Sequence, residues 1–516
     1  MAEAQRLIPI SADWILKRIQ EGKKVRLKNA QINGDLDLGK LDLPTQKVAR
    51  TDYQINTLRL PTECKIVSSP ISISNTELKG DVNFSNCIFS GYARFDGATF
   101  SGYAQFDGAT FREDAQFDGA TFSRYARFDG ATFRKDAGFE GASFNGRVKS
   151  YGSFNKRHGF ESTGFRDATF SGFTRFKRTS FSHYAGFEGA SFNDARFKEA
   201  SFFDAGFEGA SFRGYAEFEG VPFRGYAGFK GASFSMGADF EGASFNMDAE
   251  FEEASFSMGA DFKGASFRGY AGFKGATFRK DAEFEGASFS MDAKFKGASF
   301  SMDAKFKEAS FSGYAGFERT SFSGRAKFEG AKFEGDILTF RDATFSHAQI
   351  QENACRRAKN VQAKAGNRDE EEYHFYREME AKRIQKGIRG DSGLSLGECL
   401  RSDTYSFWKL FFHDVLEFIF VQKIFGYGVH PFRLFGWWLA FVVIFAIIYS
   451  IKGAIEQPDA RQWYDYLWFS IATAATPGYA LYKPLGLFKI IAGIEAILGT
   501  FMWAAFITTF ARKFSR

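Results

Sequence analysis

The chain has 516 residues, long enough for several domains, with 25% charged residues and 67 phenylalanines. A net charge of +6 is too mild for this length to point to nucleic acid. Four scattered cysteines (Cys64, Cys87, Cys355 and Cys399) with no CxxC argue against a disulfide framework and a zinc site, and read as reduced thiols of a cytoplasmic region. The opening residues show no basic segment followed by an apolar core, so no secretory signal is expected.

The first predicted element is a capping helix within residues 1–24, with Ser11 as N-cap and Trp14, Ile15 and Ile19 as its apolar face. From Val25 to Leu43 the sequence reads as irregular coils of a solenoid, with Leu27, Ile32 and Leu36 inward. A schedule then sets in. Phe95, Phe100, Phe106, Phe111, Phe117 and Phe122 alternate steps of five and six, in a unit A-x-F-x-G-A-[ST]-F-x-x-[YMD] that persists to Phe345. Between Phe144 and Phe165 it is broken, and from Phe187 to Phe212 the steps are all five. On a helix, such steps fall about 500° and 600° apart and smear the rings around the wheel. On a solenoid, Ala and Phe both point inward. Four units then make a coil of roughly 22 residues, stacked about 4.8 Å from the next, with about twelve coils between residues 84 and 345.

This pattern resembles the pentapeptide-repeat proteins in their Phe-centred eleven-residue variant. The resemblance implies a right-handed quadrilateral β-helix over residues 25–347. Met236, Met247, Met258, Met291 and Met302 recur at one repeat position, shared with Tyr92, Tyr103 and Tyr125. A stripe on one outer face is a candidate docking surface, with copying of the unit as the plainer reading. No Ser/His/Asp set and no metal-spaced His occur, so no catalytic residue and no enzyme activity are expected. DNA mimicry, known among pentapeptide-repeat proteins, needs an acidic rod, whereas Arg94, Arg127, Lys263 and Lys274 are interspersed here.

Residues 348–402 form an Ala-, Glu- and Arg-rich helical connector, with Gly366-Asn367 separating two helices. Residues 403–429 are apolar yet carry Lys409, His413, Asp414, Glu417, Gln422 and Lys423, which suits an amphipathic helix in the membrane interface better than a span. Gly426-Tyr427-Gly428 lacks a preceding pore helix and reads as a turn.

Residues 430–516 hold two predicted spans, 434–451 and 487–510. Arg433 precedes the first, and Arg512, Lys513 and Arg516 follow the second, which places both termini in the cytoplasm. Between the spans a short helix is expected over 463–474, too short to cross, followed at once by Thr476-Pro477-Gly478-Tyr479-Ala480. Non-helical backbone at membrane depth survives only where it lines water or is buried in protein. This segment resembles the two-transmembrane potassium-channel pore, through Thr473-x-x-Thr476-x-Gly478-Tyr479 and, in the second span, Glu495-x-x-x-Gly499. The resemblance implies a homotetramer whose selectivity filter is Thr476, Pro477, Gly478, Tyr479 and Ala480, supported by Thr473 and Glu495, with Gly499 as the gating hinge. Pro477, Ala480 and Leu481 depart from the family pattern, in which Val or Ile, Gly and an acid are usual, and put potassium selectivity in question.

The reading is therefore a multi-domain protein, a β-helix joined to an all-α two-helix pore domain with a re-entrant loop. The resemblance implies a passive cation channel in the cell inner (plasma) membrane. No cofactor is expected beyond the permeant monovalent cation, potassium among the candidates. Expected partners are the lipid bilayer, three further copies of the chain, and an unidentified protein or ligand at the β-helix. The alternative is a non-conducting, membrane-anchored scaffold that binds a protein.

Overall fold

The computed structural model describes residues 7–146, 163–386, 418–419, 421–429, 431–451, 454–456, 462–475 and 482–514. They divide into two units. The first holds the solenoid and residues 361–366; the second holds residues 351–360 and everything from Asn367 on.

The first unit is a parallel-strand β-solenoid of about 15 turns. Two-residue strands pair with their counterparts one coil away: Phe100 with Phe122, and Phe234 with Phe256. Backbone bonds run both ways between coils, from Phe240 N to Asp261 O at 2.7 Å and from Ser266 N to Ala243 O at 2.9 Å. The rings form four ladders. Phe218, Phe223, Phe229 and Phe234 stack on Phe240, Phe245, Phe251 and Phe256 at 4.8–4.9 Å between centroids, the spacing of parallel strands. Two ladders meet edge to face across the lumen, Phe240 standing 5.4 Å from both Phe229 and Phe251 at 89°. The rings along this stretch are fully buried, and the residues two places before them, alanines except for Val221, are buried too.

The chain turns at left-handed corners, which is why the unit carries Gly two places after every second Phe: Gly97, Gly108 and Gly119 have φ of 63°, 64° and 65°. The 147–162 interruption leaves the ladders in register. Phe144 pairs directly with Phe181, and the five-step run shortens the coil so that Phe192 pairs with Phe212.

The solenoid contains more turns than the Phe schedule counts, because it begins earlier. Ile8–Ser11 already pairs in parallel with Ala30–Asn33, and α1 (Ala12–Gln20) follows the first of these strands in the chain. Ser11 caps α1 by accepting from Asp13 N at 3.2 Å. Ala12, Ile15 and Ile19 are its buried face, and Trp14 points outward with Arg18 over its ring at 5.0 Å, a correction to the expected apolar face. Val25 is fully buried in place of the expected Leu27, which is half-buried.

Residues 41–62 leave the coil altogether. Thr45–Lys47 pairs antiparallel with Glu63–Val67, and α2 (Asp52–Asn56), closed by a Thr51/Gln54 capping box, follows. This strap lies along the glycine corners. Arg50 donates to Gly108 O at 2.7 Å, and Thr51 donates to Asp167 at 3.0 Å.

The recurring methionines do not form one stripe. A coil holds two eleven-residue units, so Met236, Met258 and Met302 follow the strands of one sheet and Met247 and Met291 those of the other. At the far end, α3 (Ala348–Lys364) tucks a fully buried Gln362 against the last coils, donating to Leu338 O at 2.9 Å.

In the second unit, α4 (Arg368–Lys386) buries Glu378 between Lys359 at 2.7 Å and Lys382 at 2.6 Å. Of the predicted interfacial helix, 403–417 lies outside the described residues. The remainder reaches α4 through Gln422, which donates to Glu380 at 3.0 Å. Gly426–Gly428 is a tight left-handed turn, with Tyr427 at φ 53°. Helix α5 (Pro431–Tyr449) follows it. Helices α6 (Trp463–Ala475) and α7 (Phe488–Phe514) come after it, and α5 and α7 are long and apolar enough to cross a membrane.

Candidate ion-conduction site

Helix α6 has one buried face, made by Phe469, Ser470, Thr473 and Ala474 at helical spacing, while Trp463, Tyr464 and Trp468 are exposed. That face rests on both long helices. Near one end Phe469 meets Tyr449 of α5 edge to face at 4.8 Å and packs in a cluster with Ala492 of α7. Near the other, Ala474 packs with Trp438 and Val442 of α5, with Met502 and Trp503 alongside.

The segments flanking α6 are tied to each other. Ile455–Glu456, after α5, pairs antiparallel with Lys483–Pro484, before α7, and Leu485 N donates to Ala454 O at 2.9 Å. The chain between these two segments, α6 included, therefore leaves and returns at one point. This pairing has no periodic signature in the sequence.

At the centre is Glu495 of α7, fully buried in an apolar helix. Tyr449 donates to its Oε2 at 2.6 Å, and the Ser470 hydroxyl touches its Oε1. Ser470 Oγ also lies 2.9 Å from Val442 O, so this node joins all three helices. Thr473 and Glu495, expected together as supports of the filter, are not bonded to each other: the α6 hydroxyl that reaches Glu495 belongs to Ser470, one turn earlier on the helix. Thr473 is buried too, and its Oγ1 has no hydrogen-bond partner among the described residues. Sequence reasoning missed both Ser470 and Tyr449. The available signal was a serine and a tyrosine in otherwise apolar segments that contain a single acid.

Gly499 lies one turn beyond Glu495 on α7, covered by Ala474. A Cβ there would meet Ala474 Cα at 2.6 Å and Ala474 O at 2.6 Å. The predicted filter residues Thr476, Pro477, Gly478, Tyr479 and Ala480 lie outside the described residues. They follow directly on α6, whose last residue is Ala475.

Comparison with known proteins agrees with this division. A family model described as pentapeptide repeats matches residues 67–110, 95–143 and, in overlapping segments, 207–352; a second pentapeptide-repeat model matches 185–214. A model described as ion channel matches residues 437–516. The chain thus carries pentapeptide repeats joined to a potassium-channel-like ion-channel domain. No curated protein matches the chain. Among solved structures, QnrB1, a plasmid-mediated fluoroquinolone resistance protein, is 15% identical over 55% of this chain and 95% of its own, with a TM-score of 0.13.

Proposed function

We propose that the protein is a passive cation channel in which four copies of residues 430–516 surround a common axis. The backbone carbonyls of Thr476, Pro477, Gly478, Tyr479 and Ala480 replace the hydration shell of a permeating monovalent cation. The observation that carries this reading is α6 itself. It is a thirteen-residue helix, too short to cross a bilayer, buried on one face against two long apolar helices and entered and left through the Ile455–Glu456/Lys483–Pro484 pairing. A loop that continues such a helix is non-helical backbone at membrane depth, which needs water or protein around it. One loop cannot encircle an ion, and a closed symmetric ring of copies can. Thr473 and Glu495 support the loop, and Gly499 is the point on α7 where gating acts. Arg433 and the basic end of α7 keep both termini on the cytoplasmic side of the plasma membrane, with the solenoid beside them.

Potassium is the natural first ion to test, although Pro477 fixes φ near −65° and removes an amide proton where the family has a β-branched residue. That same residue favours the second reading, a membrane-anchored scaffold with a degenerate pore and a protein or ligand docked on the solenoid. Reversal potentials of the reconstituted full chain in asymmetric potassium and sodium separate the two. A channel gives a current that Gly478→Asp abolishes while the solenoid stays folded; a current unchanged by Gly478→Asp removes the loop from the path. Proteoliposomes without any current leave the scaffold.

A further inference from the structure

We propose that Glu495 and Gly499 form a two-point seat on α7 that fixes the height and rotation of α6, and with it the place where the loop after Ala475 begins. This deepens the conduction reading and rests on it for its consequence, not for its geometry.

The two helices match residue for residue. Glu495 and Gly499 are four apart on α7, Ser470 and Ala474 four apart on α6, and the contacts are Glu495 with Ser470 and Gly499 with Ala474. Residues at i and i+4 lie on one face about one turn apart. One contact is polar and directional, the other a backbone approach that only a residue without a Cβ permits. Sliding α6 by a single residue moves it about 1.5 Å and turns it about 100°, which breaks both contacts at once. Neither contact alone has that property: a hydrogen bond tolerates small rotations, and a bare glycine tolerates sliding along its groove. Tyr449 holds the second carboxylate oxygen, so the seat is itself fixed to α5.

A fully buried acid in an apolar span is costly and is kept where it has a duty. Here the hydroxyls of two other helices converge on it. Gly499 has a neighbour where a free hinge needs room. Bending α7 at this glycine lifts Ala474 from its seat, so movement at Gly499 and the position of the loop are linked.

The test uses the full chain in liposomes and in nanodiscs. In potassium/sodium reversal potentials, Gly499→Ala and Glu495→Ala each change the permeability ratio by about ten-fold, within the range of coupling between contacting residues. Combining them adds less than the two effects multiplied. Glu495→Gln, which keeps an oxygen for Tyr449 and can pair with Ser470, restores most of the wild-type ratio. A Gly499→Ala channel with altered open probability and an unchanged permeability ratio is a plain hinge and overturns the seat. If wild type carries no current, the conduction reading fails and the seat is judged by amide hydrogen exchange over residues 463–475. Faster exchange in Gly499→Ala and Glu495→Ala, but not in Glu495→Gln, supports it; equal exchange in all three overturns it. Melting of the solenoid serves as the folding control for each variant.

Discussion

The solenoid and the membrane unit are both rich in apolar side chains, and they use them in opposite ways. In the solenoid, Phe240 has stacked neighbours above and below, edge-on neighbours Phe229 and Phe251 in one ladder and Phe234 in another, and no exposed surface. In the membrane unit, Ile497 is 73% exposed, Ile490 62% and Ile447 64%, while the buried residues are few and include Glu495, Ser470 and Thr473. The first core is completed within one chain by repetition. The second leaves its apolar faces outward and puts its polar groups inside, the arrangement expected when lipid or further copies are the surroundings. Stability in one region is therefore a matter of packed rings, and in the other of a few placed hydrogen bonds.

Deleting a ring should have the largest effect. Phe240→Ala removes a side chain from a stack with no room to relax and should cost about 3–5 kcal/mol in denaturation of the solenoid. A loss below about 1 kcal/mol would mean that the coils close over the gap. In the membrane unit, Tyr449→Phe removes one of two hydroxyls facing Glu495 and should cost about 0.6–2 kcal/mol, the span measured for hydrogen bonds inside membranes. Steric-trapping or detergent-unfolding measurements on the full chain would check it, and a cost equal to that of Phe240→Ala would erase the contrast.

Smaller effects test the charged exterior of the solenoid. Burial, reinforced by Glu188 and Glu250, raises the Glu208 carboxyl from 4.5 to about 7, although Tyr226 donates to it at 3.2 Å. A raised acid favours the folded state while protonated. Its contribution is fully present below about pH 4.5 and is lost as pH rises through about 7. Glu208→Gln should therefore gain stability over wild type from pH 5 to 8, and a thermal-melt difference that does not change with pH would disprove it. The smallest effect is a gain. Glu253 holds a corner at φ 58° that most coils give to glycine, so Glu253→Gly should stabilise the solenoid by about 1 kcal/mol, read as a raised melting temperature.

Much of the solenoid was legible because its signal is local and repeated. Phe234 and Phe245 announce their orientation by spacing alone, and each coil confirms the last. The strap over 41–62 was not. Its Arg50 contacts residues 58 and 36 positions away, and such pairings leave no period to read. The methionines show a subtler failure. Both the eleven-residue recurrence and the coil of roughly 22 residues were visible, and it was their combination, two units to a coil, that went unread and that assigns alternate copies to different sheets. In the membrane unit, hydropathy marked the spans, and the aromatic run over 463–474 marked a helix too short to cross, which the structure extends by one residue to Ala475.

The sequence by itself determined that a phenylalanine-lined solenoid precedes two apolar spans, because inward-facing periodicity and long apolar runs are properties of the chain read in order, and the motif around Gly478 and Tyr479 supplied the resemblance to a channel pore. Only the tertiary structure decided that Glu495 meets Ser470 and Tyr449, that Gly499 lies beneath Ala474, and that the segments on either side of α6 pair. Those contacts join residues brought together by three helices crossing, and a crossing is set by the shapes of all the packed surfaces rather than by any one segment.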